Sequence, residues 1–575
     1  MNTVIPAPAV RAARGSEGAL PAAGPWQLRA DPELETVTET VRALLEPHLG
    51  ERLLPHGASG ASDLTVVPGA SDLSGTSGTA GTAGVAGAPG SVLHLTLDAP
   101  PPPSVLHLTL DAPPPPPRAV TGVAPDGGTA PADESYGLSV GPGGITCRAR
   151  TAVGVFRAAT TALQLLAAAG PSGLLDFQDV SDAPHYAWRG LMIDPARCFI
   201  TPDEVRRVID LAALYKLNVL HLHLTDNEGW RIEVPSLPAL TAGRLDGGDG
   251  GFYSADEYRA LQAYAARRHV TLVPEIDLPG HCAALRAALP GLPPAPAPEG
   301  LAGRFPYVPP LDLADPDTHA VVSDVLADVC ALTTGPFVHI GGDEAVGITD
   351  DGFATAVRRL RTLVRSFGKR PLAWQESARA GVTPDDIAQF WVDVPMMDLP
   401  DTAEELAARP ELRAAGYTVE LVQALRRFFA PSDHDVERVL AGGGKLLLSP
   451  QSHLYLDRGY AFDVTPPAAA ADAARLGFPG YRPRDVRYTA SWNPASHGIP
   501  DDRIAGVEAT LFGETLRGLD DLTTMLLPRL GSIAETAWSG RPPEWTEHRA
   551  RAARHARLWR DRGLAHFPAT DIPWH

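Results

Sequence analysis

The chain has 575 residues, 44% hydrophobic and 20% charged, which suits two or three globular domains with large cores. Its formal charge of −19, with no basic stripe to offset it, argues against a nucleic-acid partner. The four cysteines, Cys147, Cys198, Cys282 and Cys330, are scattered with no C-x-x-C, so they indicate neither a zinc site nor a disulfide framework. Cys282 follows His281 directly, yet reads as a small buried residue rather than a thiol nucleophile.

The first six residues lack a charged segment leading into an apolar one, and no run reads as a bilayer span. The expectation is a soluble cytoplasmic protein with no membrane partner. Residues 1–25 read as a disordered entry. Residues 26–54 hold an amphipathic helix with Val37, Val41, Leu44 and Leu45 on one face. Residues 69–90 are Gly, Ala, Ser and Thr, a flexible loop. The segment SVLHLTLDAPPPP at 91–103 then returns letter for letter at 104–116. Each copy reads as a short strand ended by prolines, so one copy can pair in a sheet while the other loops out. His94 and His107 are then solvated strand residues. Residues 136–147 suggest a hairpin and 151–169 a helix, completing a small α+β domain over 26–182.

From 183 to the C-terminus the texture changes. Short apolar runs alternate with helical stretches, at 190–194, 218–226, 270–277, 337–344, 371–376, 387–392, 445–450 and 506–512. Eight such units predict a (β/α)₈ TIM barrel, an α/β fold, with a mostly helical insertion over 395–444. Such a barrel carries its chemistry where the strands end. The fourth run ends in His339-Ile340-Gly341-Gly342-Asp343-Glu344, two carboxylates side by side that can hold different protonation states. The other exits offer Asp226, Asp277, His281, Trp374, Trp391, Tyr455, Asp457, Phe512 and Glu514. Aromatic faces suit the apolar side of a pyranose, and carboxylates suit its hydroxyls. His221-x-His223 admits a rival reading as a metal-binding strand, supplemented by His339 or His281, but no other ligand spacing supports it and no cofactor is expected.

These residues resemble glycoside hydrolase family 20, the β-N-acetylhexosaminidases. The resemblance rests on the 339–344 motif and on Trp188-Arg189-Gly190, Lys216-Leu217-Asn218, His223-Leu224-Thr225-Asp226, the 274–281 block Pro-Glu-Ile-Asp-Leu-Pro-Gly-His, Tyr455-Leu456-Asp457 and Pro528-Arg529-Leu530, in that order. It implies exo-acting, retaining hydrolysis of a small-molecule or oligosaccharide substrate ending in N-acetylhexosamine, with the sugar's own acetamido oxygen as nucleophile. It further implies that Glu344 is the general acid and base, that Asp343 holds the acetamido N–H, and that Tyr455 aims the acetamido oxygen. By the same resemblance Asp277 and His281 pair to tune the acid. Arg189, Asp457 and Glu514 hold hydroxyls, Asp226 supports the pocket floor, and Trp374, Trp391 and Trp492 wall it. Phe512 stands where the family usually presents a tryptophan platform, a smaller surface for stacking. Alternatives are a sugar-binding relative without turnover and a metal-dependent barrel hydrolase.

Overall fold

A computed structural model describes residues 3–13, 18–55, 103–111, 120–170, 173–242, 251–297, 308–393, 399–414 and 416–574. The 69–90 tract and the first repeat copy, up to its final proline, lie outside the described residues.

The N-terminal unit is a six-stranded sheet with helices against it. Its strands are β1 (Val10–Ala13), β3 (Trp26–Ala30), β4 (Ser104–Leu110), β5 (Tyr136–Gly141), β6 (Gly144–Ala149) and β8 (Gln178–Asp182), in the order β1-β8-β5-β6-β4-β3. A small ribbon joins β2 (Ala19–Pro21) to β7 (Leu174–Asp176). The second repeat copy supplies β4, parallel to both β3 and β6, and its pattern alternates so that Leu106 and Leu108 are buried and His107 is exposed. The hairpin expected over 136–147 is β5–β6, antiparallel.

Helix α1 (Glu35–Leu49) buries Val37, Val41, Leu44, Leu45 and Leu49, a stripe at helical spacing. Helix α2 (Ala152–Ala169) starts where the Thr151 hydroxyl accepts from the Gly154 N–H at 3.1 Å. By length and composition α2 is apolar enough to cross a membrane, which corrects the expectation that no run could span a bilayer. Gly154 through Ala167 are all buried, packed between the sheet, α1 and the C-terminal helix Trp545–Asp561. Such a sandwiched position requires a mostly apolar helix, and the buried Arg157 and Gln164 are paired, with Glu134 and with the Ile5 backbone.

One expectation is corrected here. The first 25 residues contain β1 and β2, and Val4 and Ile5 are buried. The Ile5 N–H donates to Gln164 Oε1 at 2.8 Å, and Gln164 Nε2 returns a bond to the Ile5 carbonyl. This stretch has no periodicity of its own, and its partners lie about 160 residues away in the chain.

The second unit is a closed barrel of eight parallel strands: β9 (Trp188–Ile193), β10 (Val219–His223), β11 (Thr271–Glu275), β12 (Phe337–His339), β13 (Arg370–Trp374), β14 (Ile387–Phe390), β15 (Lys445–Leu448) and β16 (Ile504–Leu511). Each falls on a predicted run. The bottom of the barrel is plugged by an apolar layer that includes Trp188, Val219, Val273, Phe337 and Leu447. Above it the interior turns polar, with His221, Glu275, His339, Gln389 and Glu508 all buried. The insertion after β14 is helical, over Ala403–Ala407, Pro410–Ala414, Val419–Phe429 and Asp435–Ala441. Its Leu406, Leu412, Val422 and Phe429 join one hydrophobic cluster with Trp391 and Tyr455, so the insertion backs the aromatic wall of the rim.

Candidate active site

Every strand of the barrel ends at the same rim, and most of the loops that leave it contribute to one cavity, with Glu344 also lining a second beside it. Asp343, Glu344, Tyr455 and Trp391 share that cavity with Asp226, His281, Asp457, Phe512 and Glu514.

The turn after β12 explains the two glycines. Gly341 and Gly342 have φ of +68° and +95°, conformations that favour glycine. A Cβ on Gly341 would stand 1.7 Å from Asp277 Oδ1, so the close approach is to Asp277 rather than to a ligand. Asp277 Oδ1 accepts from the Gly342 N–H at 3.0 Å. The tight turn throws Asp343 and Glu344 forward, and Glu344 itself has φ +40°. His281 is likewise left-handed at +44°, so both strained non-glycine positions in the cavity belong to groups that must be aimed.

The electrostatics divide these carboxyls. Burial pushes the Glu344 carboxyl up, with nearby His281 and Arg197 holding part of the shift back. Burial, then the neighbouring Asp277, pushes Asp343 well above the usual range, and burial and Glu275 do the same to Asp277. Asp277, His281 and Asp343 bring their polar atoms within 4.8 Å of one another, so the two aspartates favour sharing a proton. Burial pulls His281 down, but Asp226, Asp343 and Glu344 outweigh it and hold the imidazole at about 10. His281 therefore stands as a cation 3.8 Å from Asp343 and 3.7 Å from Glu344. Its Nδ1 is anchored on Asp226 Oδ1 at 3.0 Å.

The expected pairing of Asp277 with His281 is thus corrected. His281 is carried by Asp226, and Asp277 instead braces the Gly342 turn beside Asp343. Spacing could not separate these roles, because both aspartates follow strands that end on the same side of the rim.

A second correction concerns Arg189. It sits at the start of β9, the end of the barrel opposite the cavity. Its guanidinium donates to the carbonyls of Lys216, Tyr186 and Ala187 and to Glu134 at 2.7 Å, and it is fully buried. It ties the barrel to the N-terminal unit. The arginine in the cavity is Arg197, three residues past Asp194. It reaches Asp194 at 2.9 Å, Asp226 at 2.7 Å and Glu514 at 3.8 Å, and lies over the Phe512 ring at 5.4 Å. The rule used for the other strands, to look just past the exit, would have found it.

The aromatic half is built from several loops. Trp391 and Tyr455 are stacked, with centroids 6.1 Å apart and planes 10° from parallel. Phe512 packs against Tyr455 at 5.3 Å and Trp374 at 6.4 Å. The Trp391 indole N–H donates to Glu376 at 3.1 Å, and the Trp374 indole N–H donates to Glu275 at 2.8 Å. Trp374 is 1% exposed and forms the floor behind Phe512 rather than the cavity's lining. Trp492 does not line the cavity. It anchors its own loop, its indole N–H donating to His497 at 3.0 Å within the hydrophobic core. Phe478 and Tyr481 do line it, and sequence reasoning missed them because they come from mid-loop between β15 and β16, with no strand exit to mark them. Asp457, pushed well up by burial and by Glu514, completes the polar side with Glu514.

The H-x-H pair on β10 faces the barrel interior. His221 contacts Glu508 at 2.8 Å and Glu275 at 3.2 Å, and His223 contacts Glu275 at 2.6 Å and Asp226 at 2.9 Å. His223 has a carboxylate hydrogen-bonded at each nitrogen and His221 at Nδ1 alone. His221, Glu275 and His339 bring their polar atoms within 4.8 Å of one another, a grouping the metal reading could use. His281 stands apart from His221 and His339, on Asp226.

A parallel barrel whose rim holds a raised carboxylic acid, a cation-flanked carboxyl and stacked rings has the groups that acid-assisted hydrolysis of a glycoside needs. The catalytic-domain model of glycosyl hydrolase family 20 matches residues 186–351 and 422–541, and the model of that family's domain 2 matches 2–183. A beta-N-acetylhexosaminidase of Cellulomonas fimi is 35% identical over 454 residues, covering 77% of this chain and 82% of that protein. The structure of Streptomyces plicatus N-acetyl-beta-hexosaminidase in complex with thio-NAglucal is 29% identical with a TM-score of 0.71, covering 100% of this chain and 98% of that one. The family 20 beta-N-acetylhexosaminidase of Streptomyces coelicolor A3(2) is 27% identical with a TM-score of 0.69, covering 100% and 99%. The chain belongs to glycosyl hydrolase family 20.

Proposed function

We propose that this protein removes terminal β-linked N-acetylglucosamine or N-acetylgalactosamine from oligosaccharides, with retention, by substrate-assisted catalysis. The observation that carries the reading is the sharing of one cavity by Glu344, Asp343 and Tyr455. The acetamido oxygen attacks its own anomeric carbon and closes an oxazolinium ring while the glycosidic bond breaks. Glu344, whose carboxyl burial pushes up, donates its proton to the departing oxygen. Water then opens the ring, and Glu344 takes its proton back. Asp343 faces the acetamido nitrogen as positive charge develops there. Tyr455 and Trp391 confine the acetamido group, and an intramolecular nucleophile is effective only when so held. Arg197, Asp457 and Glu514 are the polar groups available to the ring hydroxyls.

The test is release of an aryl alcohol from paired aryl N-acetyl-β-glucosaminide and -galactosaminide, beside a matched β-glucoside. Fast release from the N-acetyl sugars alone is expected. Equal rates on the glucoside would sink the substrate-assisted step, and tight binding without any release would favour the sugar-binding reading.

A further inference from the structure

The barrel interior carries a series of alternating carboxylates and imidazoles from its lower layer to the acid, hydrogen-bonded except at His221 Nε2 and His281 Nε2, which only face their carboxylates. The Trp188 indole N–H donates to Glu508 Oε2 at 3.0 Å. Glu508 Oε1 meets His221 Nδ1 at 2.8 Å, and His221 Nε2 meets Glu275 Oε2 at 3.2 Å. The same Glu275 oxygen meets His223 Nδ1 at 2.6 Å, and His223 Nε2 meets Asp226 Oδ2 at 2.9 Å. Asp226 Oδ1 then holds His281 Nδ1, whose Nε2 faces Glu344 and Asp343. His221, Glu275, His223 and Asp226 are each at most 1% exposed.

A neutral imidazole has one donor and one acceptor nitrogen. His223 has a carboxylate oxygen within 2.9 Å of each nitrogen, so the neutral ring would set a lone pair against a lone pair. With both carboxyls held well below the usual range by their cationic neighbours, the contacts favour an imidazolium, donating upward to Asp226 and downward to Glu275. Burial works against that cation, and the carboxylates outweigh it. Asp226 is in turn fully engaged, with His223 and Arg197 on one oxygen and His281 on the other.

We propose that His223 is a positioning residue for the reaction: clamped by Glu275, it fixes Asp226, and through Asp226 it keeps His281 turned with Nε2–H toward Asp343 and Glu344. It also contributes a buried positive charge to the field at those two carboxyls. That field includes Arg197 and His281 as the other cations, and Asp226, Asp277 and Glu376 as carboxyls. The groups facing His223 itself are Glu275, Asp226 and Asp194, with the edge of Phe512 beside it.

The inference rests on the proposed hydrolytic function and is tested with His223→Gln in the full chain. Removing a cation raises the pKa of every nearby carboxyl. Both limbs of the pH profile of kcat/KM on an aryl N-acetylglucosaminide should therefore move to higher pH, by about half to one unit. kcat should fall on the order of tenfold or more as His281 loses its fixed aim. A variant with reduced kcat and unmoved limbs would show that His223 only fills space, and would overturn the proposal. Wild type lacking activity would instead remove the hydrolytic reading. Should His223→Gln not fold, the wild type can be labelled with ¹⁵N-histidine and counted by NMR at pH 8. Three or more doubly protonated imidazoles are expected, to include His221, His223 and His281, and fewer than three would overturn the proposal.

Discussion

At the scale of single residues, the two arginines near β9 make opposite predictions. Arg197 bridges Asp194, Asp226 and Glu514 inside the cavity, so Arg197→Lys loses the planar fork that the proposed function offers to the ring hydroxyls. KM should rise on the order of tenfold, the loss of one charge-assisted hydrogen bond, as read by steady-state kinetics. Arg189 is buried at the other end of the barrel, bonded to Glu134 and three carbonyls. Arg189→Ala should leave KM unchanged and cost about 3 kcal/mol of stability or more, seen as a lower unfolding midpoint, because it strips a partner from buried groups. Glu344→Gln should lose on the order of 10²–10⁴ in kcat on poor leaving groups and far less on activated aryl ones. Near wild-type turnover of a natural oligosaccharide would take Glu344 out of the acid role.

At the scale of elements, the turn after β12 and the strand β4 are the informative ones. Gly341→Ala would place a methyl on Asp277 and force a left-handed φ on a residue with a side chain. About 1–3 kcal/mol of backbone strain follows, and activity should be lost with it because Asp343 and Glu344 leave that same turn. The slot between β3 and β6 is filled by the second repeat copy. Deleting residues 91–103 leaves one identical copy to fill it, so the unfolding midpoint and the activity should both match the full chain. The repeat itself was plain in the sequence, but which copy pairs was not, since two identical segments have identical propensities. The strands of the barrel were legible for a different reason. Fully buried parallel strands are near-continuous apolar runs, and polar residues follow immediately at the rim.

At the scale of the whole molecule, buried histidines set the dependence of stability on pH. Burial holds His48, His453 and His555 at about 4, so they stay neutral in the fold while the unfolded chain protonates near 6.5. Their effect is lost stability as pH falls from 6.5 toward 4. His221 and His281 behave in the opposite sense. Their pKa values, raised to about 9 and about 10, contribute stability that is fully present below 6.5 and is lost as pH rises through 9 to 10. The histidine contribution to the unfolding midpoint should therefore peak near pH 6.5 and fall on both sides, which calorimetry from pH 4 to 10 checks on wild type beside the His48→Gln, His453→Gln and His555→Gln variants. A midpoint still rising toward pH 9 would contradict the cationic state of the barrel interior.

The chain's own letters were enough to specify eight strands, the rim they point to, and the groups Asp343, Glu344, Tyr455, Asp457, Phe512 and Glu514 on it. Those facts follow from short-range patterning: a buried strand must be apolar, and the loop after it carries the chemistry. Which groups touch which was decided only in three dimensions. His281 rests on Asp226 and not Asp277, Arg197 and not Arg189 enters the cavity, and Trp492 packs a loop. Phe478 and Tyr481 line the cavity from mid-loop. The ionic ladder through Glu508, His221, Glu275 and His223 joins strands nearly 300 residues apart. Pair contacts of that kind depend on barrel closure and on side-chain direction, and neither is written in the local pattern of a single strand.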